Sequence, residues 1–302
     1  MASEVWRMEM PKSASELAHR ENAGMTVVCV HPGGMPIRSY IQLAERMTGY
    51  SWHLVELSLN KRYTSALGKT DLPEGILGEI ADEAIADLGE VWNTERLCLL
   101  GWSFGGVLAC EMASRRTDGA CGAVLLDSIA PRLFNGVMDG TQTERLITLS
   151  RSQVVRVRWF TDYMRALKRV AWEVAGSDAH RLSEDDLIEL MRLQLIANGG
   201  LPETTSFVGF SKVYREFSKG MNRNIAVILA HKPQSYGFPV HLVRSDYPLY
   251  EIFHLHEDMG WGQLAPNLTV SNLPLGHYEM LLEQQALDHI STHIENISHR
   301  LI

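Results

Sequence analysis

Cysteine is scarce in this chain of 302 residues: there are only four, in apolar contexts such as VVCV at Cys29 and RLCLL at Cys98. That usage excludes a disulfide frame and reads as buried thiols of a reducing, cytoplasmic compartment. No run of about 18 apolar residues occurs, so no bilayer-spanning helix is expected. MASEVWRMEM has no apolar core, so no signal peptide is expected either. Basic residues are outnumbered, 28 Lys+Arg against 36 Asp+Glu, for a net charge of -8. That balance argues against a general affinity for nucleic acid or anionic membranes. Ligand motifs are also wanting. GKT at 68–70 lacks the upstream glycine of a phosphate-binding loop, because Tyr63 stands there. His289 and His293 in DHISTHIE are spaced i, i+4, but no glutamate follows the first as in H-E-x-x-H. They are expected on a solvated helix face. Neither a metal nor a resident cofactor is expected.

What is present is a rhythm. MTVVCV (25–30) is a β-branched run closed by HPGG, and WHLVELSL, RLCLLGW and CGAVLLD (121–127) are further strand patterns. Between them lie helical spacings: IRSYIQLAERM, ILGEIADEAIADLGEVW and the segment after Ser103. Alternating strands and helices predict an α/β fold, a mostly parallel sheet with helices on both faces. Residues 1–24 are polar and aperiodic and read as a lead-in or linker to a domain spanning 25–302. Residues 131–236 interrupt the rhythm with helical patterning, Phe160, Tyr163, Met164, Leu167 and Ala171 among it, and read as a helical lid insertion. FPVHLVRS, NLTVSNL and an amphipathic helix after Tyr278 resume the α/β order.

Gly101-Trp102-Ser103-Phe104-Gly105 is a G-x-S-x-G pattern between a strand and a helix. A serine there sits on a sharp turn where side chains two residues either way would collide, hence the glycines. Its hydroxyl projects above the strand ends, over a helix N-terminus that favours developing negative charge. A serine nucleophile needs a base. His277 in LPLGHYEM lies between a late strand and the final helix, where the chain order serine–acid–histidine places it. Two aspartates close strands in the right interval: Asp127 after CGAVLL and Asp246 after HLVRS. The oxyanion needs two backbone donors. Phe104, directly after the serine, supplies one. The other comes from His31-Pro32-Gly33-Gly34-Met35, with Gly33 the expected donor.

These motifs together resemble the thioesterase domains of nonribosomal peptide and polyketide synthases, within the α/β-hydrolase superfamily. VCVHPGGMPIRSYIQLAERM is similar to their first strand, oxyanion loop and helix, and LLGWSFGGVLACEMA to their nucleophile elbow. AVLLDSIAP resembles the strand that carries their acid, and LPLGHYEMLLE their histidine turn. The likeness spans about 25–285 and is thin inside the insertion. Three positions depart from the pattern: Gly33 stands where alanine is common, Leu275 where proline is common, and LLEQQ lacks a usual proline. The resemblance implies Asp127 as the acid, since stand-alone editing thioesterases favour the later position, that of Asp246. It implies release of an acyl, polyketide or peptidyl chain from the phosphopantetheine thioester of a carrier-protein partner through an acyl-Ser103 intermediate, by hydrolysis or macrocyclisation. An editing thioesterase, a general carboxylesterase or lipase, and a non-catalytic binding module are the alternatives. RSQVVRVRWFTDYMRALKR (151–169) has six basic residues and one acidic. It reads either as a solvated helix face or as a dock for an acidic carrier.

Overall fold

The computed structural model describes residues 13–20, 23–32, 38–69, 72–118, 120–133, 183–197, 201–247, 256–277 and 279–301. MTVVCVH is an inner strand of a seven-stranded sheet whose members, in chain order, are β1 (Ala14–Ala18), β2 (Met25–His31), β3 (Tyr50–Glu56), β4 (Leu97–Trp102), β5 (Cys121–Leu126), β6 (Val240–Tyr247) and β7 (Leu268–Gly276). Their spatial order is β1-β3-β2-β4-β5-β6-β7, with β1 antiparallel and every other pairing parallel. Among the described residues the α-helices are α1 (Arg38–Arg46), α2 (Lys61–Ser65), α3 (Ile76–Leu88), α4 (Phe104–Ala113), α5 (Glu184–Ala197), α6 (Phe207–Ala230) and α7 (Gln284–Arg300).

Every residue of β2, β4 and β5 is buried. That is the reason their sequences are continuous apolar runs, because a parallel sheet is covered on both faces. Successive side chains go to opposite sides. Val28, Leu99 and Leu125 join the core under α3 and α4, while Val27, Leu100 and Val124 join the core under α1 and α7. All four cysteines are free and buried. Burial pushes the thiols up, Cys121 to about 12, so they are packing residues with little thiolate.

Three features differ from the sequence reading. Residues 1–24 are not wholly a lead-in: Ala14–Ala18 pairs with Trp52–Val55 as the edge strand. ASELA has weak strand propensity; its neighbours hold it. Ser13 donates its amide and hydroxyl to Asp87 of α3 at 2.8 and 2.6 Å, and the Glu56 amide donates to the Ser13 carbonyl. β7 runs on through Pro274 to Gly276 instead of ending at Leu273. As the opposite edge strand it can lack an N–H there. The third is the histidine pair. His293 is buried, and its rings and hydroxyl neighbours form a chain: His241 Nδ1–His293 Nδ1 at 2.8 Å, His293 Nε2–His289 Nε2 at 3.0 Å, and Ser271 Oγ within 2.9 Å of both Nε2 atoms. This face of α7 packs on β6 and β7 and is not solvated.

Between β5 and β6 the described residues hold helices and no strand. Phe160, Tyr163, Met164, Leu167, Ala171 and the basic stretch 151–169 lie outside the described residues.

Candidate active site

Strand register assembles the site. Trp102, the last residue of β4, pairs with Leu126, the last residue of β5, so Ser103 and Asp127 leave the sheet side by side. Leu126 in turn pairs with Val243 of β6, and Tyr247 of β6 with Gly276 of β7, after which comes His277. Three chemically distinct side chains separated by up to 174 positions thus converge at the carboxyl ends of parallel strands.

Ser103 caps α4 with φ 55° and ψ −126°, a left-handed backbone that non-glycine residues adopt only under constraint. The constraint is visible. The Ser103 amide donates to the Leu126 carbonyl at 2.8 Å, and its own carbonyl accepts from the Gly106 amide at 3.0 Å. The flanking glycines are steric requirements. A Cβ on Gly101 would lie 2.3 Å from the Gly105 carbonyl oxygen, and one on Gly105 would lie 2.3 Å from that of Val30. A Cβ on Gly106 would meet Ser128 at 2.6 Å, so the second glycine after the serine lets α4 sit close to the end of β5.

Asp127 also has a positive φ, 46°, and is 4% exposed. Its amide donates to the Val243 carbonyl at 2.8 Å, which turns the carboxylate across the top of β6. There it accepts three bonds: from the Ser245 amide at 3.0 Å, the Ser245 hydroxyl at 3.1 Å and His277 Nδ1 at 2.7 Å. A carboxylate only accepts, so Nδ1 of His277 carries the hydrogen and Nε2 keeps its lone pair. That is the tautomer a general base requires. The imidazole is held from a second side by Trp102. The indole N–H donates to the His277 carbonyl at 2.9 Å, and the two rings lie 4.7 Å apart. The Gly276 amide donates to Glu279 at 2.8 Å, which closes the turn.

Of the two aspartates, Asp127 meets His277 and Asp246 does not. Asp246 is exposed and accepts from Asn272 Nδ2 at 3.3 Å. Phe104 stands at the first position of α4, buried in the core that also holds Val30 of β2, and the next residue, Gly105, backs onto Val30 and Pro32, 2.3 and 3.3 Å from where its Cβ would be. Gly33 lies outside the described residues. Reading the sequence missed Ser245, Trp102 as a clamp, and Tyr63, whose ring stacks on Phe104. Ser245 stands one residue before the candidate acid of that strand. Period-two alternation alone would have aimed one of Ser245 and Asp246 inward. Among the described residues no cluster of histidine, cysteine or carboxylates could hold a metal ion, and no helix is long and apolar enough to cross a membrane.

Residues 25–125 match the family model described as a thioesterase domain. No curated protein matches the chain. Among solved structures, a four-domain nonribosomal peptide synthetase in its holo form, bound to AMP and glycine, superposes with TM-score 0.61 at 20% identity over 96% of this chain. The chain spans only 20% of that synthetase's length. The Vlm2 thioesterase domain bound with a dodecadepsipeptide gives TM-score 0.54 at 18% identity, covering 94% of this chain and 97% of that domain. The NocB thioesterase domain, in covalent complex with a fluorophosphonate nocardicin G analogue, gives 0.51 at 20% identity, covering 91% and 95%. Residues 25–125 are thus similar to thioesterase domains, and the mostly parallel seven-stranded sheet has the fold of the nonribosomal peptide synthetase thioesterase structures it superposes on.

Proposed function

We propose that this chain releases an acyl, polyketide or peptidyl group from the phosphopantetheine thioester of a carrier protein, with Ser103 as nucleophile, His277 as base and Asp127 as the acid that orients it. The observation that carries the reading is the 2.7 Å bond between Asp127 and His277 at the strand ends beside an elbow serine. His277 Nε2 takes the proton of Ser103 as the hydroxyl oxygen attacks the thioester carbon. The Asp127 carboxylate offsets the imidazolium charge. The amides of Phe104 and of the loop at Gly33 stabilise the tetrahedral oxyanion. Collapse breaks the carbon–sulfur bond, and the proton from His277 accompanies the carrier thiol. The acyl-Ser103 ester is then cleaved by water, or by a nucleophile of the bound chain itself, with His277 again taking the proton.

The use of Asp127 in place of Asp246 supports chain release over editing. The dodecadepsipeptide bound by the Vlm2 domain and the multidomain setting of the four-domain synthetase support a peptidyl substrate handed over within a synthase. The test is mass spectrometry of the intact protein after mixing with acyl-carrier thioesters. An acyl adduct on wild type, absent from Ser103→Ala, is expected, together with faster turnover of carrier-bound than of simple esters. Equal turnover of free esters would make it a general esterase. A wild type left unlabelled by both thioester and fluorophosphonate would make it a binding module.

A further inference from the structure

Tyr63 is a buried residue of the one-turn helix α2, yet its side chain touches three other parts of the fold. Its ring stacks on that of Phe104, centroids 5.9 Å apart and planes 24° from parallel. The Arg223 guanidinium carbon of α6 lies 3.7 Å from the centre of the same ring. Its hydroxyl donates to Asn224 Oδ1, also of α6, at 2.5 Å, and has the Pro32 carbonyl at 3.4 Å. A phenol has one proton. The shorter contact takes it, and the carbonyl at the exit of β2 is the second acceptor within reach.

The base of this side chain is fixed. Asn60, fully buried, caps α2 by accepting from the Tyr63 amide at 2.8 Å and donates to the Ile80 carbonyl of α3 at 3.1 Å. The amides of Lys61 and Arg62 both donate to Glu83 of α3 at 2.9 Å. Thus α2 is tied to the sheet-side layer, while its tip is tied to α6, which belongs to the segment between β5 and β6. Plain core packing needs neither a charged partner on the ring nor a short bond at the hydroxyl.

We propose that Tyr63 is a positioning residue: it couples the placement of α6 to the backbone at Phe104 and Pro32, so that the oxyanion side of the site is ordered only when α6 is seated. This rests on the acyl-transfer reading above, since it acts through Phe104. With α6 seated, Asn224 and Arg223 hold the phenol against Phe104. With α6 displaced, the ring loses both partners, and the hydroxyl turns to the Pro32 carbonyl.

The test compares wild type with Tyr63→Phe, Asn224→Ala, the double variant and Asn224→Asp, which keeps an acceptor. Two readings are taken on the full chain: the rate of fluorophosphonate attachment at Ser103 by intact mass, and the thermal midpoint. Each single removal is expected to slow attachment about tenfold, the typical effect of one lost bond that orders a reacting geometry. The double variant should be no slower than either, because one bond is removed in all three. Asn224→Asp should stay within about twofold of wild type. With a carrier-bound thioester, kcat should fall in parallel with little change in KM. Attachment rates equal to or above wild type in Tyr63→Phe and Asn224→Ala, with only the midpoint lowered, would reduce Tyr63 to a packing residue. Multiplying rates in the double variant would also overturn the coupling. A wild type that takes up no fluorophosphonate removes the nucleophile reading, and the coupling with it.

Discussion

Ser245 gives both of its donors, amide and hydroxyl, to the carboxylate of Asp127, at 3.0 and 3.1 Å. The end of β6 thus holds the carboxylate that follows β5. Ser245→Ala keeps the amide bond and loses the hydroxyl one. A hydrogen bond to a charged group contributes about 1.5–3 kcal/mol. The expected loss in kcat is therefore about ten- to a hundredfold, with the thermal midpoint read alongside. Ser245→Thr, which keeps the hydroxyl, should recover most of it.

The two aspartates separate cleanly by experiment. Asp127→Asn removes the acceptor that sets the His277 tautomer, and kcat is expected to fall by roughly a thousand- to ten-thousandfold. Asp246→Asn alters an exposed side chain in contact with Asn272 and should leave kcat within about twofold. The reverse pattern would return the acid to β6.

Trp102→Phe preserves a ring beside His277 and deletes the indole N–H that holds the His277 carbonyl at 2.9 Å. The histidine turn then loses one of its ties. A fall in kcat of about fivefold with KM little changed is expected, because the substrate-contacting surface is kept. A KM effect alone would place Trp102 in substrate binding instead.

Gly105→Ala would put a methyl 2.3 Å from the Val30 carbonyl, a backbone atom with no room to yield. The cost is about 3 kcal/mol or more, at the upper end for overpacking. Urea unfolding of the variant should show it as a midpoint shift, and labelling at Ser103 should fall with it.

Stability should decline in mild acid. Burial holds His241 and His293 down to about 4 each; nearby Arg300 adds to this for His241, and His289 and His241 add to it for His293. His289 is lowered by burial as well. Ser271 is the uncharged partner facing the pair. These folded values lie below the unfolded histidine value of about 6.5. The unfolded chain therefore binds protons first as pH falls. The contribution is intact above about 6.5 and is lost progressively toward 4. Urea midpoints measured across that interval should drop. His293→Gln should flatten the slope by about one proton, so that its midpoint falls furthest below wild type at pH 8 and the gap closes toward pH 5.

The elements most legible in the sequence were those whose signal is local. β2, β4 and β5 are apolar runs because both faces are covered, and the glycines around Ser103 report atoms a few residues away. Asp127 and Asp246 were equivalent as strand ends; only the register of β5 against β6, and the bulge between Ser245 and Tyr247, decides which carboxylate faces His277. Ala14–Ala18 was illegible because its pairing is supplied by β3 and by Asp87, not by its own residues. The histidine chain on α7 was misread for a similar cause: i, i+4 spacing shows that two rings share a face, but not that β6 and β7 cover it.

Ser103 and Asp127 both precede residue 131 and are locked together by the adjacent β4 and β5, while only His277 arrives from beyond the long segment that separates β5 from β6. Lengthening, trimming or rewriting that segment leaves the Ser103–Asp127 spacing untouched. An acid on β6 would instead have to be re-delivered with every such change. Ser103 and Asp127 thus keep their mutual position whatever the length of the β5–β6 connection, while the position of His277 depends on where that connection delivers β6 and β7.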